Sequence, residues 1–225
     1  MAIQAVLFDL DNTLVNRKKA FQNYAERFVD EFVLVVDSRN RVQVVEYIIQ
    51  ADRDGYRKKR ELYEELLTEF TMKNPVTADT LVDYWFAEFF KHTVVMDGAL
   101  ELLEQLRSKE IKLGLITNGS VHSQNSKIDQ VQLRSYFDAV IVSDEVQLKK
   151  PDPKIFELAL ERLGVTAASS IYIGDHPRND VTGAKSAGLG TIWLRGAEEW
   201  DEALEKPNFM IRELNEIRKI VEELG

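Results

Sequence analysis

The sequence predicts an α/β protein, a doubly wound parallel sheet interrupted after its first strand by a helical insert. Three observations lead there. Ala5-Val6-Leu7-Phe8 is a short unbroken apolar run, the pattern of a strand buried on both faces. From Asn16 to about Thr93 the apolar residues recur every three or four positions, the period of amphipathic helices. After Asp97-Gly98 helical and strand patterns alternate, as they do where crossover helices join parallel strands.

Taken in order, Phe21, Tyr24, Ala25, Phe28, Phe32 and Val35 form the stripe of a first helix. A second spans Val42 to Ala51 with Val44, Val45, Ile48 and Ile49, and a third runs from Tyr56 to Phe70. Pro75 breaks the pattern, and Thr77 is placed to cap a fourth helix carrying Leu81, Tyr84, Trp85, Phe86, Phe89 and Phe90. Aromatic residues at this spacing read as the core of a bundle rather than as a ligand box. Leu100, Leu102, Leu103 and Leu106 mark the next helix, and Lys112 to Ile116 and Ala139 to Val142 the next strands. Pro153 to Leu163 is helical, Ile171 to Ile173, Thr191 to Leu194 and Phe209 to Ile211 are strands, and Glu213 to Leu224 is a closing helix. One strand followed by four helices cannot bury both its faces alone, so the first strand belongs with the later ones. The expected division is a Rossmann-like core of residues 1–15 and 94–225 with a four-helix cap domain of residues 16–93.

Composition narrows the function. At 225 residues, 44% hydrophobic and 30% charged, the chain is an ordinary globular protein large enough for an enzyme. A net charge of −9 argues against a nucleic acid polymer as partner. Cysteine is absent, which rules out thiol chemistry and fits a reducing cytoplasm. Nothing resembles a signal peptide, and no apolar stretch reaches membrane-spanning length. A homodimer is compatible with the sequence and not determined by it.

Polar residues collect at the strand ends, where ligands bind in open sheets of this kind. Asp9 and Asp11 follow the first strand with Thr13 two residues on, so two acids and a hydroxyl can surround one point. They are also ordinary turn residues. Thr117-Asn118-Gly119 follows the second strand and can grip phosphoryl oxygens through the hydroxyl and backbone N–H groups. Lys149 and Lys150 precede Pro151, a rigid start from which to project a charge. Gly174-Asp175-His176-Pro177-Arg178-Asn179-Asp180 adds two more acids beyond a buried strand. Four acids gathered in a cleft either raise their pKa values or hold a cation, and an all-oxygen ligand set suits Mg²⁺. A helix starting near Asp180, rich in Gly183, Ala184, Ala187 and Gly188, would pack closely on the sheet.

The four ordered segments DLDNTL, TNG, KKPDPKIF and IGDHPRNDVTGAKSAG resemble the haloacid dehalogenase superfamily, in the branch with a helical cap after the first motif. The resemblance runs from Val6 to about Leu194. It implies a Mg²⁺-dependent phosphatase that hydrolyses a small-molecule phosphate monoester through an aspartyl-phosphate. Asp9 is then the nucleophile, Asp11 the general acid and base, and Thr117 and Lys150 the remaining catalytic residues. Thr13, Asn118 and Gly119 take substrate or phosphate, with amides around Leu10 and Asn118 assisting. Asp9, Asp175, Asp180 and the Asp11 main-chain carbonyl hold the metal. The Asp11 carboxyl must have its pKa raised to act as an acid at neutral pH, and a bond to Thr13 would fix its aim. The DNT and GDHPRND forms are similar to those of nucleotide and sugar-acid phosphatases, and Asn16, Arg17 and Arg53 to Arg57 are the cap positions for specificity. His176 touches substrate or caps its loop; His92 and His122 read as structural or solvent-facing.

Other readings share some of these motifs. The dehalogenases of the superfamily lack the second Asp, so Asp11, Thr13 and Asp175 disfavour that chemistry. A phosphomutase or phosphotransferase of the same fold would keep every motif. A non-catalytic phosphoaspartate-type signalling protein shares the Asp, Thr and Lys, but its acceptor follows a later strand and it has no long helical insert.

Overall fold

The computed structural model describes residues 2–35, 40–196 and 199–224. The chain falls into two compact units, residues 1–16 with 95–225, and Arg17–Val94.

The first unit is built on a six-stranded sheet of order β3-β2-β1-β4-β5-β6. Its strands are β1 (Ala5–Phe8), β2 (Lys112–Thr117), β3 (Ala139–Val142), β4 (Ser170–Gly174), β5 (Gly190–Leu194) and β6 (Phe209–Ile211). All neighbours are parallel. The helices of this unit are α5 (Ala99–Ser108), α6 (Val121–Gln130), the short α7 (Ser143–Val146), α8 (Pro153–Leu163), α9 (Gly183–Ser186) and α10 (Ile217–Leu224). Because strand side chains alternate, Val6 and Phe8 join one core with Leu102, Leu103, Leu106, Ile128 and Ile217, while Ala5 and Leu7 join another with Ile155, Phe156, Ala159 and Leu163. Both faces of β1 are therefore dry, as its apolar run predicts. The central position of β1 directs its last residue into the middle of the strand-end face.

Two segments differ from expectation. The closing helix begins at Ile217, since Leu214–Glu216 form a separate single turn capped by Glu213. Near Asp180 the chain starts helical turns earlier, with a wide turn over Pro177–Thr182 leading into α9, and Ala187 and Gly188 lie beyond its end. Gly183 does pack closely, as an added Cβ would come within 2.7 Å of the Phe156 ring.

The second unit holds α1 (Arg17–Phe32), α2 (Arg41–Asp52), α3 (Lys59–Glu69) and α4 (Ala78–Glu88). Phe21, Tyr24, Phe28, Val44, Ile48, Leu62, Leu66, Leu81 and Trp85 share its own apolar core. Thr77 caps α4 by accepting from the Thr80 N–H at 3.2 Å. Val35 lies past the end of α1, Tyr56 lies ahead of the start of α3, and Phe86 within α4 is rotated off its buried face, so all three are exposed. Inside this unit Asp52 is fully buried, accepting from Arg17 Nη2 at 2.7 Å and from the Lys59 ammonium. The Arg17 guanidinium also sits 5.5 Å from the centre of the Phe21 ring. Gly55, with φ +91°, leaves the room that this guanidinium occupies.

Removing one member of a buried ion cluster strands the others, at a cost of ~3–5 kcal/mol. Asp52→Ala is expected to lower stability by ~3 kcal/mol in denaturant titration, because Arg17 and Lys59 lose their shared carboxylate. Adding Arg17→Met and Lys59→Met to Asp52→Leu is expected to recover most of that loss.

Candidate active site

Four strand ends of the first unit bring the polar residues together. Asp9 follows β1 directly, and its N–H still pairs with Ile173 O of β4 at 2.9 Å, so the carboxylate leaves a backbone still held to the sheet. The chain then curls: Leu14 and Val15 N–H groups both return to Leu10 O at 2.9 Å, and Asn12 N–H reaches Val15 O at 2.7 Å. Asn12 takes φ 58°, a left-handed position that asparagine tolerates. This curl presents Asp11 on the same side as Asp9.

Lys150 is 4% exposed and its ammonium makes three contacts. It donates to Asp9 Oδ1 at 2.5 Å, Asp180 Oδ1 at 2.7 Å and Tyr172 Oη at 2.9 Å. Lys149 is exposed, so of the two lysines it is Lys150 that faces inward. Burial alone would lower the Lys150 ammonium, but Asp180 and Asp9 outweigh it and hold its pKa well above the usual lysine range. The loop carrying this lysine is clamped by Asn118, whose amide donates to Lys150 O at 3.0 Å and accepts from Lys150 N–H at 2.9 Å. Asn118 thus ties the end of β2 to the lysine loop through its side chain.

Asp180 is 1% exposed, and besides Lys150 it accepts from the His176 N–H at 2.9 Å through its second oxygen. Gly174 makes this placement possible, because a Cβ there would collide with the Asp180 carboxyl group. The Asp175 backbone is pinned by Trp193, whose indole N–H donates to Asp175 O at 2.7 Å. The His176 ring accepts from the N–H groups of Arg178 and Asn179 at 3.2 Å, so it caps the turn that delivers Asp180. His122 is exposed, and His92 lies half-buried in the helical unit.

One oxygen each from Asp9, Asp175 and Asp180 lies within 4.8 Å of the others. Three carboxylates against one ammonium leave an excess of two negative charges in a mostly buried cluster. A divalent cation would neutralise that excess, and an all-carboxylate donor set suits Mg²⁺. The three side chains therefore fit the ion. Burial is the main reason that the Asp9 carboxyl is pushed up to about 7; Lys150 opposes the shift and Asp180 adds to it.

The Asp11 carboxylate does not bond Thr13, whose buried hydroxyl has no hydrogen-bond partner among the described residues. It is held instead by two residues of α6: Gln124 donates to Asp11 Oδ2 at 3.0 Å and Lys127 does so at 2.5 Å. Gln124 also donates to Thr117 Oγ1 at 2.5 Å, which leaves that hydroxyl its own proton to give. Gly119 adopts φ +149° and sits where a Cβ would come within 2.9 Å of the Gln124 side chain. Its N–H donates to Ser143 Oγ at 3.0 Å. Gln124, Lys127 and Tyr172 carry no sequence signal of the kind that marks Asp9 or Asp175. Helix α6 has few apolar residues, so hydrophobic periodicity passes over it; its sign is the Ser120 cap, which accepts from the Ser123 N–H at 3.2 Å. Tyr172 reads as one more apolar member of β4.

This fold and this carboxylate cluster define a haloacid dehalogenase-like hydrolase, and the sequence profile of that family matches residues 6–194, so the chain belongs to it. Over 197 residues the chain is 29% identical to the glyceraldehyde 3-phosphate phosphatase of Pyrococcus abyssi, with 86% of this chain and 82% of that protein aligned. It is 30% identical over 210 residues to the N-acylneuraminate-9-phosphatase of Homo sapiens, covering 85% and 82% of the two chains. Among solved structures, a HAD phosphatase from Thermococcus onnurineus superposes with a TM-score of 0.66 at 27% identity over 97% of this chain and 98% of that one. Among the described residues no helix is long and apolar enough to cross a membrane.

The position of Asp9 sets a pH signature. A carboxyl raised from 3.8 to about 7 binds its proton more tightly folded than unfolded, so the metal-free protein loses stability as pH rises through that window. Asp9→Asn removes the effect. In metal-free buffer it is expected to raise Tm by several degrees at pH 8, with the gain shrinking as pH falls toward 4; a pH-independent difference in a thermal-unfolding series would contradict this origin.

Proposed function

We propose that the chain is a Mg²⁺-dependent phosphatase acting on a small phosphorylated metabolite through a phosphoaspartate at Asp9. The observation that carries the reading is the convergence of Asp9, Asp175 and Asp180 within 4.8 Å, with Lys150 bridging two of them. Catalysis of phosphoryl transfer is largely positioning and electrostatic stabilisation, and this cluster supplies both. Lys150 holds one oxygen of Asp9, which aims the other at phosphorus. Thr117 gives its hydroxyl proton to a phosphoryl oxygen, and main-chain N–H groups around Leu10 and Asn118 serve the same group. Asp11 protonates the leaving oxygen as the P–O bond breaks, then takes a proton from the water that attacks the phosphoaspartate. Asp9, Asp175 and Asp180 hold Mg²⁺ through side chains and Asp11 through its main-chain carbonyl. When bound, the ion offsets carboxylate charge so that the phosphate dianion can approach.

The substrate class follows from chemistry and kinship. Relatives named as phosphatases of glyceraldehyde 3-phosphate and of N-acylneuraminate 9-phosphate support a sugar, sugar-acid or nucleotide monoester. The helical unit Arg17–Val94 is the proposed cap that selects the leaving group, since it is inserted directly after the first motif. Absence of cysteine fits action in the cytoplasm, where such metabolites are found.

Phosphate release from a panel of sugar phosphates, sugar-acid phosphates and nucleoside monophosphates tests the reading. With Mg²⁺ present, at least one monoester is expected to turn over; EDTA is expected to abolish release. Asp9→Asn is expected to lower kcat by ~10³-fold or more, as loss of a covalent nucleophile does. Release that survives both EDTA and Asp9→Asn would overturn the mechanism.

A further inference from the structure

Helix α6 presents two polar side chains to the site from a position that none of the four motifs covers. Lys127 is 5% exposed and Gln124 is 3% exposed, so neither is a solvated surface residue that strays inward. Burying a lysine and a glutamine costs free energy unless both find partners, and here both converge on one atom, Asp11 Oδ2. Their spacing of three residues places them on one face of the helix. The helix is itself seated: Ser120 caps its start, and Ile128 anchors it in the apolar core beside β1 and β2. Gln124 joins two functions with one amide group, reaching Asp11 and Thr117 together. Gly119 is the backbone counterpart, because any side chain there would press on the Gln124 amide.

We propose that Gln124 and Lys127 are positioning residues for the proton-transfer step: they fix Asp11 Oδ2 so that the other carboxyl oxygen faces the leaving group and, later, the attacking water. This inference rests on the phosphatase reading above. Gln124 additionally locks the Asp11 carboxyl to the Thr117 hydroxyl, so the proton donor and the phosphate-binding hydroxyl keep one relative geometry through both half-reactions. In the first, Asp9 bonds to phosphorus, the P–O bond to the leaving group breaks, and the Asp11 proton ends on the departing oxygen. In the second, the Asp11 carboxylate takes a proton from water, the new P–O bond forms, and Asp9 departs as a carboxylate. Misaiming Asp11 harms both, but it harms the first only when the leaving group needs a proton.

That difference provides the test. The wild type, Lys127→Met, Lys127→Arg and Gln124→Leu are compared on 4-nitrophenyl phosphate, whose leaving group departs as a stable anion, and on an alkyl phosphate that the wild type accepts. For Lys127→Met and Gln124→Leu, kcat/KM on the alkyl ester is expected to fall by ~10²-fold or more, the usual scale of general acid catalysis, and on the aryl ester by less than ~10-fold. Rapid mixing with the aryl ester is expected to show a burst of 4-nitrophenolate in these variants as hydrolysis of the phosphoaspartate slows. Lys127→Arg, which keeps the charge and the donor, is expected to recover part of the loss. The Mg²⁺-induced rise in Tm, read without substrate, is expected to match the wild type. Equal losses on both esters, or loss of the Mg²⁺ shift, would overturn the positioning role and leave Gln124 and Lys127 as structural supports. A wild type inactive on every ester with Mg²⁺ would instead overturn the phosphatase reading itself.

Discussion

The site depends on one buried ammonium. Lys150 sits between Asp9, Asp180 and Tyr172, and its charge offsets the burial of the two carboxylates. Two carboxylates this close repel strongly in a low-dielectric interior, and a lone lysine would shed its proton. Together they hold each other in place. The arrangement still carries surplus negative charge once Asp175 is counted, and a divalent cation would offset it.

Much of the surrounding structure serves to bring that ammonium to those carboxylates. Asn118 binds both backbone groups of Lys150, which ties the lysine loop to the end of β2. Gly174 clears the space into which Asp180 turns, and the His176 ring caps the turn that carries it. Tyr172 brings a phenol up from inside the sheet; burial pushes its pKa well above the usual tyrosine range, so it stays neutral and keeps its proton, with Ile116 O at 3.2 Å. Asp11 belongs to a neighbouring network from α6, separate from the lysine. Asp9 and Asp11 are therefore held by side chains from different elements, Asp9 by Lys150 and Asp11 by Gln124 and Lys127 of α6.

The helical unit solves its own stability problem. It has an aromatic core in which the Trp85 and Phe89 rings stack at 3.9 Å between centroids, with the hydroxyls of Tyr24 and Tyr63 paired at 2.7 Å. Its buried ion cluster uses Arg17, the first residue after the chain leaves the sheet unit. The chain departs and returns side by side, with Val15 bridged to Val95 and Met96 N–H bonded to Leu14 O at 2.8 Å.

Local pattern alone determined a good deal. The apolar run Ala5–Phe8 could only be a doubly buried strand, because polar atoms on either face would have lost water with nothing in return. Asp9 and Asp175, each directly after a strand, and Lys150, directly before a proline, were legible too, and Asp180 followed from its place in the Gly174–Asp180 segment. Tertiary structure decided what pairs with what. Gln124 and Lys127 lie more than a hundred residues from Asp11 in the chain, at separations of 113 and 116, on a helix too polar for its periodicity to register. Thr13, close to Asp11 in sequence, is the partner proximity suggests, yet the curl after Asp9 turns the carboxylate toward α6 instead. Likewise, α1 stops at Phe32, short of Val35, and Phe86 within α4 faces solvent although both residues belong to the apolar stripes in sequence. A side chain's identity and its place on a strand or helix are written locally; the direction of a hydrogen bond is written only by whatever the folded chain brings within about 3 Å of it.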